Sequence, residues 1–441
     1  MFDDRISDYT EGVAAKYLSA VDAEPGKSRQ HEIGGLPAAG FREWLGTPGK
    51  QEEYRFRARQ IYISDDDDEP VICDSHVTWY DCRRKVAHRG PEYRLYYYDS
   101  PVTTCISEGD FFLVAKLREN ALPLQDLFLP LDGADLKPGS LLMVFAPAGS
   151  AAEQQLRILF GLGEIGERFK AGELDAGILL LPLRMMLEAL GIELNKPDRS
   201  DDDWTERLLA TFGGKAFPPT TAFSAFARDS IADHTNPLAD PDGTLMAWME
   251  HEEKLFRLYE RQLVQAQLRA GFGELGDDVD AFINYSLSVQ NRRKSRVGHA
   301  FEGHLDTLFR LHGLQFQQGR GKGNVTENNA RPDFMFPSFA AYHDPAFPAE
   351  QLLMLGAKTT CKDRWRQVLS EAARIPRKHL ITLEAAISEA QTKEMAAHGL
   401  QLVVPESIQN TYTESQIKNL FSITALIANI KQLTVYQQSE L

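Results

Sequence analysis

Residues 352–383 read LLMLGAKTTCKDRWRQVLSEAARIPRKHLITL, and the fold turns on this run. An apolar strand is expected over 352–359, with Lys358 at its end. A helix is expected over 365–375 and a second apolar strand over 379–383. Strand, helix and strand in such close succession imply a mixed sheet flanked by helices. The alternation extends outward in both directions. Helices are expected over 245–270 and 297–312, the second with Phe301, Leu305, Leu308, Phe309 and His312 on one face. A strand follows at 334–336, then beyond the central run a helix at 388–398, a strand at 401–404 and a helix at 414–431.

The first half of the chain has a different texture. Strand-like runs recur at 54–63, 71–81, 92–98, 111–117 and 140–145, each bounded by Gly, Pro or Asp. Closely spaced strands with turn signals suggest a barrel or sandwich. Helices are expected at 151–160 and 181–190, and the acidic run at 65–69 as a solvated loop. The polar stretch 196–203 lacks periodicity and is taken as a linker. It divides the chain into an N-terminal, mainly β domain (1–195) and a C-terminal α/β domain (204–441). Residues 213–243, rich in Pro and Gly, are expected to be an irregular embellishment of the second domain.

The 441 residues are 43% hydrophobic and 25% charged, which excludes wholesale disorder. The formal charge of −15 argues, taken alone, against a nucleic-acid partner. That total is an average, however. Residues 283–380 hold 15 Lys+Arg against 8 Asp+Glu, a local +7 that leaves −22 for the rest. No run approaches the ~20 apolar residues of a membrane span, and the start MFDDRISDYT has no signal-peptide character. The four cysteines lack zinc-ligand spacing, so reduced thiols in a cytoplasmic protein are expected.

The sharpest chemical constellation lies in the second domain. Pro332-Asp333 opens one strand and Lys358 ends another 25 residues later; Glu371 follows, on the expected next helix, and Glu302 lies upstream on the 297–312 helix. Phosphodiester hydrolysis requires a hard divalent cation held by carboxylate oxygens, to polarise the phosphate and acidify a bound water. A nearby lysine orients that water and offsets developing charge. Immediately downstream, Lys362, Asp363 and Arg364 have the donors and acceptor that read G·C pairs in a major groove. The plainer reading of the triplet is a helix start with an acid in its first turn.

The second domain resembles the EcoRII type of restriction endonuclease, within the PD-(D/E)XK nuclease superfamily. The resemblance is carried by SVQNRRKSRVGHAFEGHLDTLFRLHGLQF (288–316), RPDFMFPSFAAYHDPAFP (331–348), LLMLGAKTTCKDRWRQVLSEA (352–372) and LQLVVP (400–405). It implies a type II deoxyribonuclease that uses Mg2+ and cuts double-stranded DNA before the first cytosine of sites with outer CC and GG pairs, of the CCWGG or CCNGG kind. It also implies Asp333 and Glu371 as metal ligands, Glu302 as an auxiliary carboxylate, Lys358 as the catalytic lysine, and 362–364 as readers of the outer pairs. Gly356 stands where the superfamily pattern usually has its second acid, and in this branch that carboxylate moves to the position of Glu371.

Arg292, Arg293, Lys294 and Arg296 form a basic cluster expected on DNA phosphates, and Arg320 and Lys322 in QQGRGKGN could act likewise. Trp248 is a candidate platform for a flipped central base, with a core tryptophan as the equal alternative. The N-terminal domain resembles the EcoRII effector-binding domain, a DNA-binding pseudobarrel related to the plant B-three type, through HEIGGLP (31–37) and WYDCRRKVAHRGPEYRLYYY (79–98). There Arg83, Arg84, Lys85, Arg89, Glu92 and Arg94 are expected to meet effector DNA. The resemblance further implies a homodimer, autoinhibited by the N-terminal domain and activated by a second DNA copy. A cytosine methyltransferase would act on the same site without binding the protein. Two rival readings are a DNA-binding regulator keeping a nuclease-like dimerisation domain, and a structure-specific repair nuclease.

Overall fold

The computed structural model describes residues 5–23, 31–65, 69–86, 88–119, 136–166, 168–172, 181–189, 200–361 and 364–439. Its contacts divide the chain into two compact units, Asp3–Lys196 with Ala385–Ser388, and Pro197–Glu384 with Glu389–Leu441.

The first unit is built on one sheet. Its strands are β1 (Thr10–Tyr17), β2 (Glu32–Ile33), β3 (Tyr54–Tyr62), β4 (Val71–Asp81), β5 (Tyr93–Tyr96), β6 (Phe111–Leu117), β7 (Leu136–Ala146) and β8 (Lys170–Ala171). The spatial order is β2-β5-β4-β3-β7-β6-β1-β8. Among the described residues, only the β3–β7 pairing of this sheet is parallel. All seven residues of β6 are buried, so both faces of this strand are covered. The core packs Trp79, Phe112 and Phe145 against residues from both ends of the sheet. Five strands fall where alternation placed them, but β1 escaped it. Its sequence TEGVAAKY is poor in the β-branched and aromatic residues that mark strands. Gly12 is required there because a Cβ would stand 2.1 Å from the Trp44 ring.

The second unit places a five-stranded mixed sheet among helices. Its strands are β9 (Gln317–Gln318), β10 (Phe334–Phe336), β11 (Leu353–Lys358), β12 (Lys378–Thr382) and β13 (Leu400–Val403), in the order β13-β12-β11-β10-β9. Pairings β11–β12 and β12–β13 are parallel, while β10 runs antiparallel to β9 and β11. Two long helices, Pro241–Ala270 and Val279–Leu311, pack beside one another in this unit. A buried ionic cluster lies between them: the Arg296 guanidinium meets Glu252 at 2.9 Å and also Glu253, and His304 meets Glu252 at 2.9 Å. Burial works to push Glu252 and Glu253 up, but Arg296, with His304 for Glu252, holds both below the usual range.

Several expectations are corrected. Residues 196–199 of the proposed linker lie outside the described residues, and Asp201, Asp202 and Asp203 form the first turn of the helix Asp201–Phe212. Three acids at a helix start are favoured by the macrodipole, so a charge run there does not mean a loop. Within 213–243, Pro219 caps the helix Thr220–Asp229, which buries Phe223 and Ala227. The 297–312 helix begins eighteen residues earlier, at Val279, so the basic cluster lies inside it. The 365–375 helix is only Arg364–Leu369. The 414–431 helix is two, Glu414–Ile417 and Ile423–Ser439. The break falls where Phe421 leaves helical geometry to bond backbone to backbone with Leu402 and Val404 beside β13.

Among the described residues no helix is long and apolar enough to cross a membrane. One buried carboxylate ties the start of the Pro241–Ala270 helix to the C-terminal helix. Asp242, 3% exposed, accepts from the N–H groups of Ile423 (2.8 Å) and Thr424 (2.9 Å) and from the Thr424 hydroxyl (2.6 Å). Removing it would orphan those donors at a helix N-terminus. Asp242→Ala is expected to cost about 2–3 kcal/mol, measured by urea unfolding. Unchanged stability would show that these contacts contribute nothing net.

Candidate active site

The site follows from strand register. Phe334 pairs with Leu355 and Phe336 with Leu353, antiparallel, so Asp333, just before β10, faces the end of β11. Its carboxylate accepts from the Ala357 N–H at 2.7 Å and from the Lys358 ammonium at 2.9 Å. A backbone donor and a side-chain cation on one carboxylate oxygen hold the pair in place. Both side chains remain partly exposed, Asp333 17% and Lys358 26%.

Glu371 joins this pair from a segment beyond the short helix, not from the helix itself. After Leu369 the chain turns, and Ala372 adopts a left-handed conformation (φ 49°). The turn is held from elsewhere in the unit. Thr326 Oγ1 accepts from the Ala372 N–H at 3.3 Å, and the Glu327 carboxylate from the Ala373 N–H at 3.2 Å and the Tyr342 hydroxyl at 2.6 Å. The Arg374 guanidinium donates to the carbonyls of Tyr342 at 2.6 Å and Asp344 at 2.7 Å. Nothing in the local sequence around Glu371 announces these supports.

Burial pushes the Glu371 carboxyl up to about 7, and the neighbouring Asp333 charge adds to the rise against the pull of Lys358 and Lys378. Glu302 is raised as well, first by burial and then by Asp333, and is opposed by Arg320 and Lys358. Its carboxylate is already paired with the Arg320 guanidinium. Arg320, read as a phosphate contact, thus reaches the carboxylate cluster instead. Lys378, which the sequence reading did not single out, lies 9% exposed and donates to the Ile375 carbonyl at 3.2 Å.

Position 356 has a steric reason to be glycine. A Cβ there would lie 3.0 Å from Val368 Cγ2 and 3.5 Å from Leu380 Cδ1. The helix after β11 packs so closely on this position that no acidic side chain fits without moving it. Among the described residues, no three His, Cys, Asp or Glu side chains already stand together as a metal site. The Asp333 and Glu371 carboxylates nevertheless offer hard oxygen donors under mutual repulsion, which a divalent cation would relieve.

The other expected contacts fare unevenly. Arg364 is exposed at the start of its helix, while Lys362 and Asp363 lie outside the described residues. Of the basic cluster, Arg296 is buried on Glu252 and Glu253 and presents no cation to a phosphate. Arg293 is paired with Glu260 at 2.6 Å, and the Arg292 guanidinium lies 4.7 Å from the Phe217 ring. Lys294 is exposed. Trp248, read as a stacking platform, is 4% exposed, with its ring 5.6 Å from that of His304. It is a core tryptophan, and a base could not stack on it without repacking.

In the first unit, Asp81 shapes the basic loop by accepting from the N–H groups of Arg83 and Glu92, both at 2.9 Å. Glu92 is engaged by Arg83 and Arg94, and Arg94 also meets Glu32 at 3.0 Å. The hydrogen bond from Arg94 holds the Glu92 carboxyl below its usual range. Arg84 meets Glu53 at 2.6 Å. Lys85 and Arg89 are the members of the expected set left exposed.

With this geometry in place, the relatives become informative. Residues 256–427 match the EcoRII C-terminal domain family. The Type II restriction enzyme EcoRII of Escherichia coli is 46% identical over 194 residues, which cover 44% of this chain and 46% of that protein. The chain thus spans about half the length of the curated relative it matches. Among solved structures, metal-depleted Ecl18kI in complex with uncleaved, modified DNA superposes with a TM-score of 0.42 at 18% identity, covering 54% of this chain and 86% of that one. The PspGI–substrate DNA complex gives 0.40 at 17% identity, covering 49% and 93%. These superpositions are too loose to carry a functional argument. The EcoRII C-terminal match spans Asp333, Lys358 and Glu371, and so contains the whole carboxylate–lysine cluster.

The raised Glu371 carboxyl has a measurable consequence. A carboxyl whose folded value lies above its unfolded one stabilises fully below the unfolded value, and that stability is lost as pH rises through the folded value. Ionising Glu371 therefore costs stability progressively from about pH 4.5 to above pH 7. Glu371→Gln is expected to melt a few degrees higher than the parent at pH 8 without divalent ions, with the gain gone at pH 4. Equal melting at both pH values would remove the strain assigned to this group.

Proposed function

We propose that the protein is a magnesium-dependent type II restriction endonuclease that hydrolyses double-stranded DNA. The observation that carries this reading is the Asp333–Lys358 pair at 2.9 Å beside Glu371, whose carboxyl is pushed up to about 7. The 46% identity to a type II restriction enzyme supports it. Asp333 and Glu371 would hold Mg2+, with Glu302 as the auxiliary carboxylate. Two carboxylates suffice because this ion usually keeps several waters and takes substrate phosphate as a further ligand. When bound, the ion supplies positive charge that polarises the scissile phosphate and acidifies water. Lys358, oriented by Asp333, positions the attacking water and offsets charge developing on the phosphoryl oxygens. Arg364, with Lys362 and Asp363, reads outer CC and GG pairs of a CCWGG or CCNGG-like site, and the cut falls before the first cytosine.

The finer proposal divides the chain at 196–203. Residues 204–441 are the catalytic, restriction-endonuclease-like domain of the PD-(D/E)XK type. Residues 1–195 are a B-three-like pseudobarrel that binds a second DNA copy through Lys85 and Arg89 and restrains the nuclease until it does so. The protein acts as a cytoplasmic homodimer, since each strand needs its own active site.

Lys358→Ala and Asp333→Asn are expected to lower plasmid cleavage with magnesium by about a thousandfold or more while specific DNA binding stays measurable. Full-rate cleavage by either variant would remove the proposed site. Sequencing the ends of digested plasmid reads the recognition sequence and the cut position together.

Lys85→Ala with Arg89→Ala should leave cleavage chemistry intact and weaken effector binding. The slope of log affinity against log salt should fall by about 2 if both cations meet phosphates. An unchanged slope would exclude them from the DNA.

A further inference from the structure

Strand pairing itself holds Arg320 beside the carboxylates. β9 runs antiparallel to β10, Gln318 opposite Phe334 and Gln317 opposite Met335, so the loop after β9 passes the residues that open β10. Gly319 makes that close passage possible: a Cβ there would stand 2.4 Å from the Pro332 carbonyl oxygen and 3.1 Å from the Arg331 carbonyl carbon. The Gln318 carbonyl then closes the loop, accepting from the Gly321 N–H at 3.3 Å and from the Asn324 side-chain amide at 2.7 Å. Arg320 therefore stands at the head of a tight loop, next to the start of the strand that Asp333 precedes.

From there its guanidinium donates to Glu302, on the Val279–Leu311 helix. Phe301 and Leu305, both wholly buried, fix that part of the helix against the core. The Glu302 side chain is 16% exposed, and it feels Asp333 and Lys358 as well as Arg320. The two cations thus divide the carboxylates, Lys358 on Asp333 and Arg320 on Glu302. A second divalent ion would have to lie about 4 Å from the first, with hard oxygen ligands of its own. Glu302 is the further carboxylate able to supply them, and a charge-assisted hydrogen bond already engages it. Repulsion acts the same way. Arg320 and a Mg2+ ion held on Asp333 and Glu371 would together repel any further cation approaching Glu302.

We propose that Arg320 is a positioning residue that occupies the Glu302 carboxylate in place of a second divalent cation, so that each active site takes one metal ion. The inference rests on the nuclease reading above and deepens it, because it gives Glu302 its partner and the site its metal count.

The test titrates the full chain with Mn2+ in place of Mg2+ and counts bound ions by electron paramagnetic resonance, with no DNA and no turnover. Ions held by surface carboxylates are subtracted using Asp333→Asn with Glu302→Gln. The parent should bind one ion per chain above that baseline. Arg320→Gln should bind two, and Arg320→Lys, which keeps the cation, should bind one. Arg320→Gln with Glu302→Gln should return the count to one with parent-like affinity. A parent that binds two ions, or Arg320→Gln that still binds one, overturns the proposal alone. Loss of the remaining ion from the double variant also overturns it, because Glu302 would then hold the first metal; this arm stands even if Arg320→Gln by itself fails to fold. A parent that binds none removes the metal site of Asp333 and Glu371 and the proposal with it, so the two failures are read apart.

Discussion

The antiparallel pairing of β10 with β11 is the constraint on which the candidate site depends. It sets Asp333 against the last residues of β11, so one carboxylate takes both a backbone N–H and the Lys358 ammonium. A one-residue slip would turn Lys358 to the opposite face of the sheet and separate the pair. Gly356 belongs to the same constraint. It lets the Arg364–Leu369 helix sit close on β11, and the turn at Ala372, held by Thr326, Glu327 and Tyr342, brings Glu371 back to Asp333. Strand register, a missing side chain and a short helix act together to gather the charges.

A second set of charges has a different task. Arg296, Glu252 and Glu253 lie buried between the two long helices, with the His304 imidazole, whose pKa burial lowers, against Glu252. Taking such groups out of water is costly, and their mutual attraction offsets that cost only when every partner is present. The cluster therefore discriminates strongly between one helix register and its neighbours. It also alters the meaning of charge counted along the chain. The +7 of residues 283–380 includes Arg293, Arg296, Arg374 and Lys378, all of which serve contacts within the unit. The surface facing a polyanion is less basic than the count implies, and among the described residues Lys294, Lys322 and Arg364 are expected cations that stay exposed.

In the first unit the basic loop is similarly self-neutralised at its base. Arg83, Arg94, Glu32 and Glu92 pair with one another, which stiffens the loop and leaves Lys85 and Arg89 at its outer part. Structural ion pairs and ligand-facing cations have the same composition. Only the partners tell them apart.

How much was legible from residues alone follows from the range of the forces involved. Alternation and apolar runs located β3, β4, β6, β10 and β11, because the strand period is written in adjacent residues. The order Asp333, Lys358, Glu371 was readable because each residue sits next to such a strand or its sequel. Turns set by distant supports were not readable. The early end of the helix before Glu371 depends on Thr326, Glu327 and Tyr342, and the break before Ile423 depends on Phe421 pairing beside β13. Residue types able to do chemistry, and the rough course of the sheet, are written locally along the chain. Tertiary structure alone decided which charges meet: that Trp248 and Arg296 are core, that Arg320 reaches Glu302, and that Glu371 feels Asp333. Burial and electrostatic pairing act through space across tens or hundreds of residues, and no local pattern encodes them.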